Sequence, residues 1–252
     1  MFGKVLVVFR ILIFVLLTLA GLLFIGIVSI LPGINKNRIA LEGRRIWTKV
    51  ICRILGMVVD SQGWEEKPVY ILISNHRSYI DPVITLREAR AFPLAKSEIS
   101  RWPLIGYAAK YTGVIYVQRD NQKSRRGAVR AMETALESKF PVLVYPEGTT
   151  TGEKVTTDFK LGAFRIAAQN NMPIIPCAID YEDKRAYWVN DDTFLGHFFR
   201  FFSLPRTKVV VRYGPTIQGD DPLDLLQRTQ GWIDNELLLM SQQVTPQINR
   251  GQ

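Results

Sequence analysis

Residues 69–82 read Val-Tyr-Ile-Leu-Ile-Ser-Asn-His-Arg-Ser-Tyr-Ile-Asp-Pro. An almost unbroken apolar run, 69–74, gives way to a polar loop, and Asp81-Pro82 then opens a helical stretch over 82–91. A strand that is apolar on both faces belongs in a sheet covered by helices on both sides. The alternation repeats along the chain. Residues 113–117, 142–145, 174–179 and 208–213 read as strands, and 102–110, 124–139, 159–170 and 222–240 as helices. The fold class expected is therefore α/β: a single domain over residues 61–252, with a mixed sheet flanked by helices. No internal repeat, low-complexity tract or linker divides that region.

Upstream the composition changes. Ile11–Ile34 is a run of 24 uncharged, mostly aliphatic residues, and about 20 suffice for a helix to cross the bilayer core. A cleaved leader has a shorter apolar region, about 7–15 residues, and a small-residue cleavage site, which does not follow here. Residues 1–60 are thus expected to be membrane-anchoring helices, as a full span or, given Pro32 and Gly33, a re-entrant hairpin. Over 39–58, apolar residues recur at helical spacing beside a basic edge of Arg45, Lys49 and Arg53. This amphipathic helix suits either the headgroup layer, with Trp47 at the boundary, or packing on the domain.

The formal net charge of +9 is concentrated at the same end, since residues 1–60 hold eight basic residues against two acidic ones. Positive charge beside an apolar segment fits an anionic lipid surface, whereas a nucleic-acid binder spreads its basic residues over the folded domain. No nucleic-acid partner is expected. With Lys36, Arg38, Arg44, Arg45, Lys49 and Arg53 following the run, the rest of the chain is expected on the cytoplasmic side. Cys52 and Cys177 stand far apart, there is no Cys-x-x-Cys pair, and both read as buried apolar residues, so no metal site is expected.

Chemistry in an open α/β sheet sits where strands end. At the first such end, His76 and Asp81 are five residues apart. A loop folding back over that interval lets the carboxylate fix one imidazole nitrogen and leaves the other free as a base. Asp81 before Pro82 also has the form of a helix N-cap. The strand over 113–117 delivers Arg119, whose planar fork suits a phosphate, or a pairing with Asp120. Residues 144–149, Val-Tyr-Pro-Glu-Gly-Thr, run from strand into turn; Glu147 and Thr149 there suit a polyol, while Pro146 and Gly148 suit a plain turn.

Taken in order, Asn75-His76-x4-Asp81, Gly113-x5-Arg119, Pro146-Glu147-Gly148-Thr149 and the proline-flanked strand 173–179 resemble the glycerolipid acyltransferases, in particular the 1-acylglycerol-3-phosphate acyltransferase branch. Lys96 and Lys160 match frequent positions of that family. The resemblance implies that His76, held by Asp81, takes the proton of an acceptor hydroxyl as it attacks an acyl thioester, with no covalent acyl-enzyme. It further implies that Asn75, Lys96, Arg119 and Lys160 with Glu147, Gly148 and Thr149 bind the lysolipid acceptor. No bound cofactor is implied; acyl-CoA or acyl carrier protein is the co-substrate, and lysophosphatidic acid becomes phosphatidic acid. Thr150 stands where many members have arginine, which keeps other lysolipids in play as acceptors. A membrane lipid-binding protein without catalysis is the remaining alternative. The aromatic stretch containing Phe194, Phe198, Phe199, Phe201 and Phe202 suits lipid contact or core packing equally, and His197 reads as a packed residue.

Overall fold

The computed structural model describes residues 2–28, 30–33, 35–102, 104–118, 122–189 and 192–244. Seven strands form one sheet: β1 (Met57–Gln62), β2 (Ile71–Ser74), β3 (Phe92–Lys96), β4 (Ile115–Val117), β5 (Val142–Val144), β6 (Ile174–Tyr181) and β7 (Thr207–Tyr213), in the order β1-β7-β6-β2-β5-β3-β4. Every pairing is parallel except β6 with β7, so the sheet is mixed, as expected. The five strands from β6 to β4 therefore end along one edge. The helices are α1 (Phe2–Val28), α2 (Lys36–Ile54), α3 (Asp81–Thr85), α4 (Ile105–Tyr111), α5 (Gln122–Glu137), α6 (Gly162–Gln169), α7 (Phe194–Phe202) and α8 (Pro222–Val244).

Strand alternation sorts the core into two layers. Tyr70, Leu72, Cys177, Ile179 and Tyr181 face one layer with Ile51 of α2 and Phe201 of α7. Ile71, Ile73, Val142 and Ala178 face the other, filled by Met132, Phe164, Ile233 and Leu237 from α5, α6 and α8. Every residue of β2, β5 and β6 is buried, which is why their sequences carry no polar face.

Two strands escaped the sequence reading. The helical spacing over 39–58 runs on into β1, but α2 stops at Ile54 because Gly56 takes φ +78°, a left-handed conformation that ends helices. β1 then crosses position 60 and pairs with β7. β3 contains Pro93, which argues against a strand interior; it pairs with β5 through Phe92 and Pro93 and with β4 from Leu94 onward.

α1 is apolar enough to cross a membrane, but it does not stand away from the domain. Phe14 packs edge-on against Trp47 of α2 with ring centroids 5.6 Å apart, and Trp47 Nε1 donates to Thr18 Oγ1 at 3.2 Å. Near the end of α1, Ile25 lies against Gly43. Arg10, expected as a flanking charge, is 4% exposed and donates to the carbonyls of Ile54, Phe202, Leu204 and Pro205. It thereby satisfies chain ends that helices leave without partners. On α2, Arg44 is also buried, bonded to the carbonyls of Ala91 and Thr112. The basic edge is partly neutralised, with Arg45 on Glu42 and Lys49 on Glu88, so α2 is a helix packed on the domain. The outer face of α1, including Leu12, Leu16, Leu19, Leu23 and Ile27, stays exposed. α7 divides by face: His197, Phe201 and Phe202 are buried, Leu195 and Phe199 exposed.

Candidate active site

His76 lies in the loop after β2, and Asp81 begins α3. The two meet: Asp81 Oδ2 is 2.7 Å from His76 Nδ1. The same oxygen accepts the backbone N–H groups of Arg77 at 2.6 Å and Ser78 at 2.8 Å, while Oδ1 accepts the Tyr181 hydroxyl at 2.6 Å. Asp81 therefore does not cap its own helix, as Asp-Pro suggested; it reaches backward to the loop that carries the histidine. The carboxylate is fully buried, and four donors answer the desolvation that burial imposes on it.

The ring of His76 stacks on Tyr145 at a centroid distance of 4.2 Å. Tyr145 is fixed in turn through Thr85, whose Oγ1 sits 3.1 Å from the Tyr145 hydroxyl. The His76 side chain is 15% exposed, and among the described residues no hydrogen-bond partner reaches Nε2. One nitrogen is thus held by a carboxylate and the other is presented at the carboxyl edge of the sheet.

The remaining expected site residues divide into two groups. Asn75 is fully buried, and its side chain forms a closed pair with the Ile179 backbone: Nδ2 donates to the carbonyl at 2.9 Å, and Oδ1 accepts the N–H at 2.9 Å. With both polar atoms engaged and no exposed surface, Asn75 fastens the end of β2 to β6. Glu147 is likewise 5% exposed; Oε2 accepts the His76 N–H at 2.6 Å and Oε1 the Thr157 N–H at 3.0 Å. Burial raises the pKa of Glu147, opposed by these two amides and the charges of Arg77 and His76. Its carboxylate holds the loop. Thr151 N–H donates to the His76 carbonyl at 2.9 Å, so both backbone groups of the histidine are tied to the segment after β5.

Lys96, Thr149 and Lys160 are exposed and stand at this edge. Lys96 closes β3, two strand spacings from β2, or about 10 Å. Gly148 has φ +76°, and the Lys160 ammonium occupies the space a Cβ would take there. Thr150 Oγ1 donates to the Trp188 carbonyl. Arg119 lies outside the described residues. Sequence reasoning missed Tyr181 and Tyr145, which contact the pair, and Arg77, which is 1% exposed and donates to the Thr151 carbonyl at 3.2 Å. Tyr145 directly precedes Pro146-Glu147, so its place at the strand end was readable; nothing in the sequence links Tyr181 to Asp81 across 100 positions.

Cys52 and Cys177 are buried, and burial pushes each thiol up to about 12. Neither can serve as a thiolate nucleophile. Among the described residues, no group of three or more His, Cys, Asp and Glu side chains could hold a metal ion.

Residues 58–180 match the Acyltransferase family model. A lyso-ornithine lipid O-acyltransferase of Pseudomonas aeruginosa is 28% identical over 208 residues, covering 79% of this chain and 80% of that protein. A lysophospholipid acyltransferase of Arabidopsis thaliana is 33% identical over 176 residues, 66% of this chain but 32% of its own length. The 1-acyl-sn-glycerol-3-phosphate acyltransferase of Saccharomyces cerevisiae is 30% identical over 179 residues, 66% of this chain and 58% of its own. In fold, the chain matches the crystal structure of the 1-acyl-sn-glycerophosphate acyltransferase of Thermotoga maritima with a TM-score of 0.68, over 92% of this chain and 98% of that one, at 18% identity.

Proposed function

The chain belongs to the lysolipid acyltransferase family, and from that premise we propose that it transfers a fatty acyl group from a thioester to the free hydroxyl of lysophosphatidic acid, giving phosphatidic acid. The observation that carries the mechanism is the geometry of His76, with Nδ1 on a buried carboxylate and Nε2 open at the sheet edge. His76 Nε2 takes the acceptor's hydroxyl proton as that oxygen attacks the thioester carbonyl. Asp81 holds the ring in the required tautomer and stabilises the imidazolium that forms. Collapse of the tetrahedral adduct breaks the carbon–sulfur bond, and the imidazolium returns its proton to the departing thiolate. The acyl chain passes directly to the acceptor, so no cysteine or serine nucleophile is required.

The acceptor's phosphate is assigned to the exposed cations of this edge, Lys160 over Gly148 and Lys96 at the end of β3, together with Arg119. The exposed apolar face of α1 holds the domain on the membrane that supplies the lysolipid. The donor is acyl-CoA or acyl carrier protein. A second reading, acylation of a lyso-ornithine lipid or another lysolipid, is favoured by Thr150, which puts a neutral side chain, bonded to the Trp188 carbonyl, where many family members have arginine.

The test uses purified protein, one acyl-thioester donor and lysolipids differing only in headgroup. His76→Ala is expected to lower turnover about 10²–10⁴-fold while the protein still unfolds cooperatively, and lysophosphatidic acid to be the best acceptor. Turnover retained without His76 refutes the mechanism. Indifference to lysophosphatidic acid, with another lysolipid acylated, selects the second reading.

A further inference from the structure

The hydroxyl of Tyr181 lies 2.6 Å from Asp81 Oδ1, on the carboxylate oxygen that faces away from His76. Tyr181 closes β6 and is 0% exposed, as is Asp81. Its register is fixed two residues earlier, where Asn75 clamps both backbone groups of Ile179. Two contacts therefore join the same two segments: Asn75 to Ile179 sets where β6 lies, and Tyr181 to Asp81 uses that position to reach the carboxylate. We propose that Tyr181 is a positioning residue for acyl transfer, whose hydroxyl aims the Asp81 carboxylate and tempers its hold on the His76 ring. The proposal rests on the reading of His76 as the base.

The physical argument concerns Oδ1. Oδ2 already has three donors, the imidazole and two backbone amides. Without the phenol, Oδ1 is left buried with no hydrogen-bond donor among the described residues. Its charge would then be offset by the imidazolium more strongly, and the ring would hold its proton to higher pH. The groups facing the pair are few. Tyr145 and Cys177 lie close to Asp81, and burial raises both above their ordinary values. Tyr187 lies beyond Arg77, with its own hydroxyl on Asp180. All four of these phenols and thiols, Tyr181 included, are neutral at physiological pH, since burial also pushes Tyr181 up. Arg77 and Glu147 are the charges nearby; both hold the loop backbone, and the charge of Glu147 also acts on the His76 ring. A donor on Oδ1 is therefore the direct means by which this site adjusts the carboxylate.

The experiment follows the His76 ring by NMR titration in detergent micelles. The chain has two histidines, so His197→Gln assigns the spectrum. Tyr181→Phe keeps the ring and deletes the donor; the His76 titration is expected to move up by about one pH unit, the Nδ1–H resonance to shift, and kcat on the acidic limb of its pH profile to fall about tenfold. Placing 3,5-difluorotyrosine at 181 strengthens the donor and is expected to move the titration down, which keeps the proposal testable if the phenylalanine variant does not fold. Tyr187→Phe, which deletes a bond of the same kind to Asp180, leaves the His76 titration in place. An unmoved titration in Tyr181→Phe, an equal movement in Tyr187→Phe, or a movement without loss of turnover each overturns the proposal. Failure of the base reading itself has a different signature: turnover that survives His76→Ala.

Discussion

Glu147 holds His76 by its backbone, with Oε2 accepting the histidine N–H at 2.6 Å, and not by the imidazole. The second oxygen takes Thr157 N–H, so this carboxylate braces two loops. Glu147→Gln retains the shape but turns one acceptor into a donor opposite an N–H. The loss of a charge-assisted bond to a buried amide is worth about 1.5–3 kcal/mol. If it loosens the histidine loop, kcat falls about 10–100-fold while KM for the lysolipid holds. A rise in KM at constant kcat would instead return Glu147 to the acceptor site.

Asn75 makes the same point through stability. Asn75→Ala leaves the Ile179 N–H and carbonyl without partners inside a sheet, a cost of about 2–4 kcal/mol. Urea unfolding of the solubilised protein is expected to register this as a lower midpoint with an unchanged slope. A midpoint within error of the parent sinks the clamp.

The histidine and the aspartate were legible in the sequence because they share one loop, and five residues of spacing already limit how they can meet. The sheet was legible wherever both faces are buried, as in β2, β5 and β6. β1 was not, because Val58 continues the helical spacing of α2 and only the left-handed Gly56 interrupts it. Asn75 and Glu147 carry motif positions whose partners, Ile179 and Thr157, come from other segments. Local sequence gives the identity of such a side chain but not the direction in which it points. Arg10 is the extreme case: it reads as a flanking charge and is a buried tie to four carbonyls on three segments.

That tie bears on how the protein sits on the membrane. α1 is fastened along α2 from Arg10 to Ile25, and α2 is fastened to the domain by Arg44. A perpendicular span would carry the polar α2 through the bilayer, so α1 is expected to lie in the interface with its outer face in one leaflet. Lys36→Cys at the start of α2 tests this, because the two native thiols are buried and unreactive. In oriented vesicles, a membrane-impermeant maleimide is expected to label position 36 from the side that holds the catalytic domain. Labelling from the opposite side means that α1 crosses.

His197 gives a stability dependence on pH with a definite sign. The ring is buried, with Nδ1 3.1 Å from the Tyr79 hydroxyl and Nε2 3.2 Å from the Ala186 carbonyl. These contacts fit a neutral ring that donates from Nε2 and accepts at Nδ1. Burial lowers its pKa below the ordinary 6.5, and the charge of Arg200 acts in the same direction. The unfolded chain therefore binds a proton that the folded one resists. The stabilisation is complete above pH 6.5 and is lost as pH falls from there toward the folded value. His197→Gln, which offers a donor and an acceptor without titrating, should lose less stability on acidification. The gap between parent and variant midpoints in urea is expected to narrow from about pH 7.5 to about pH 5. A gap that stays constant over that interval means the buried ring does not titrate on unfolding, and the neutral-ring assignment fails.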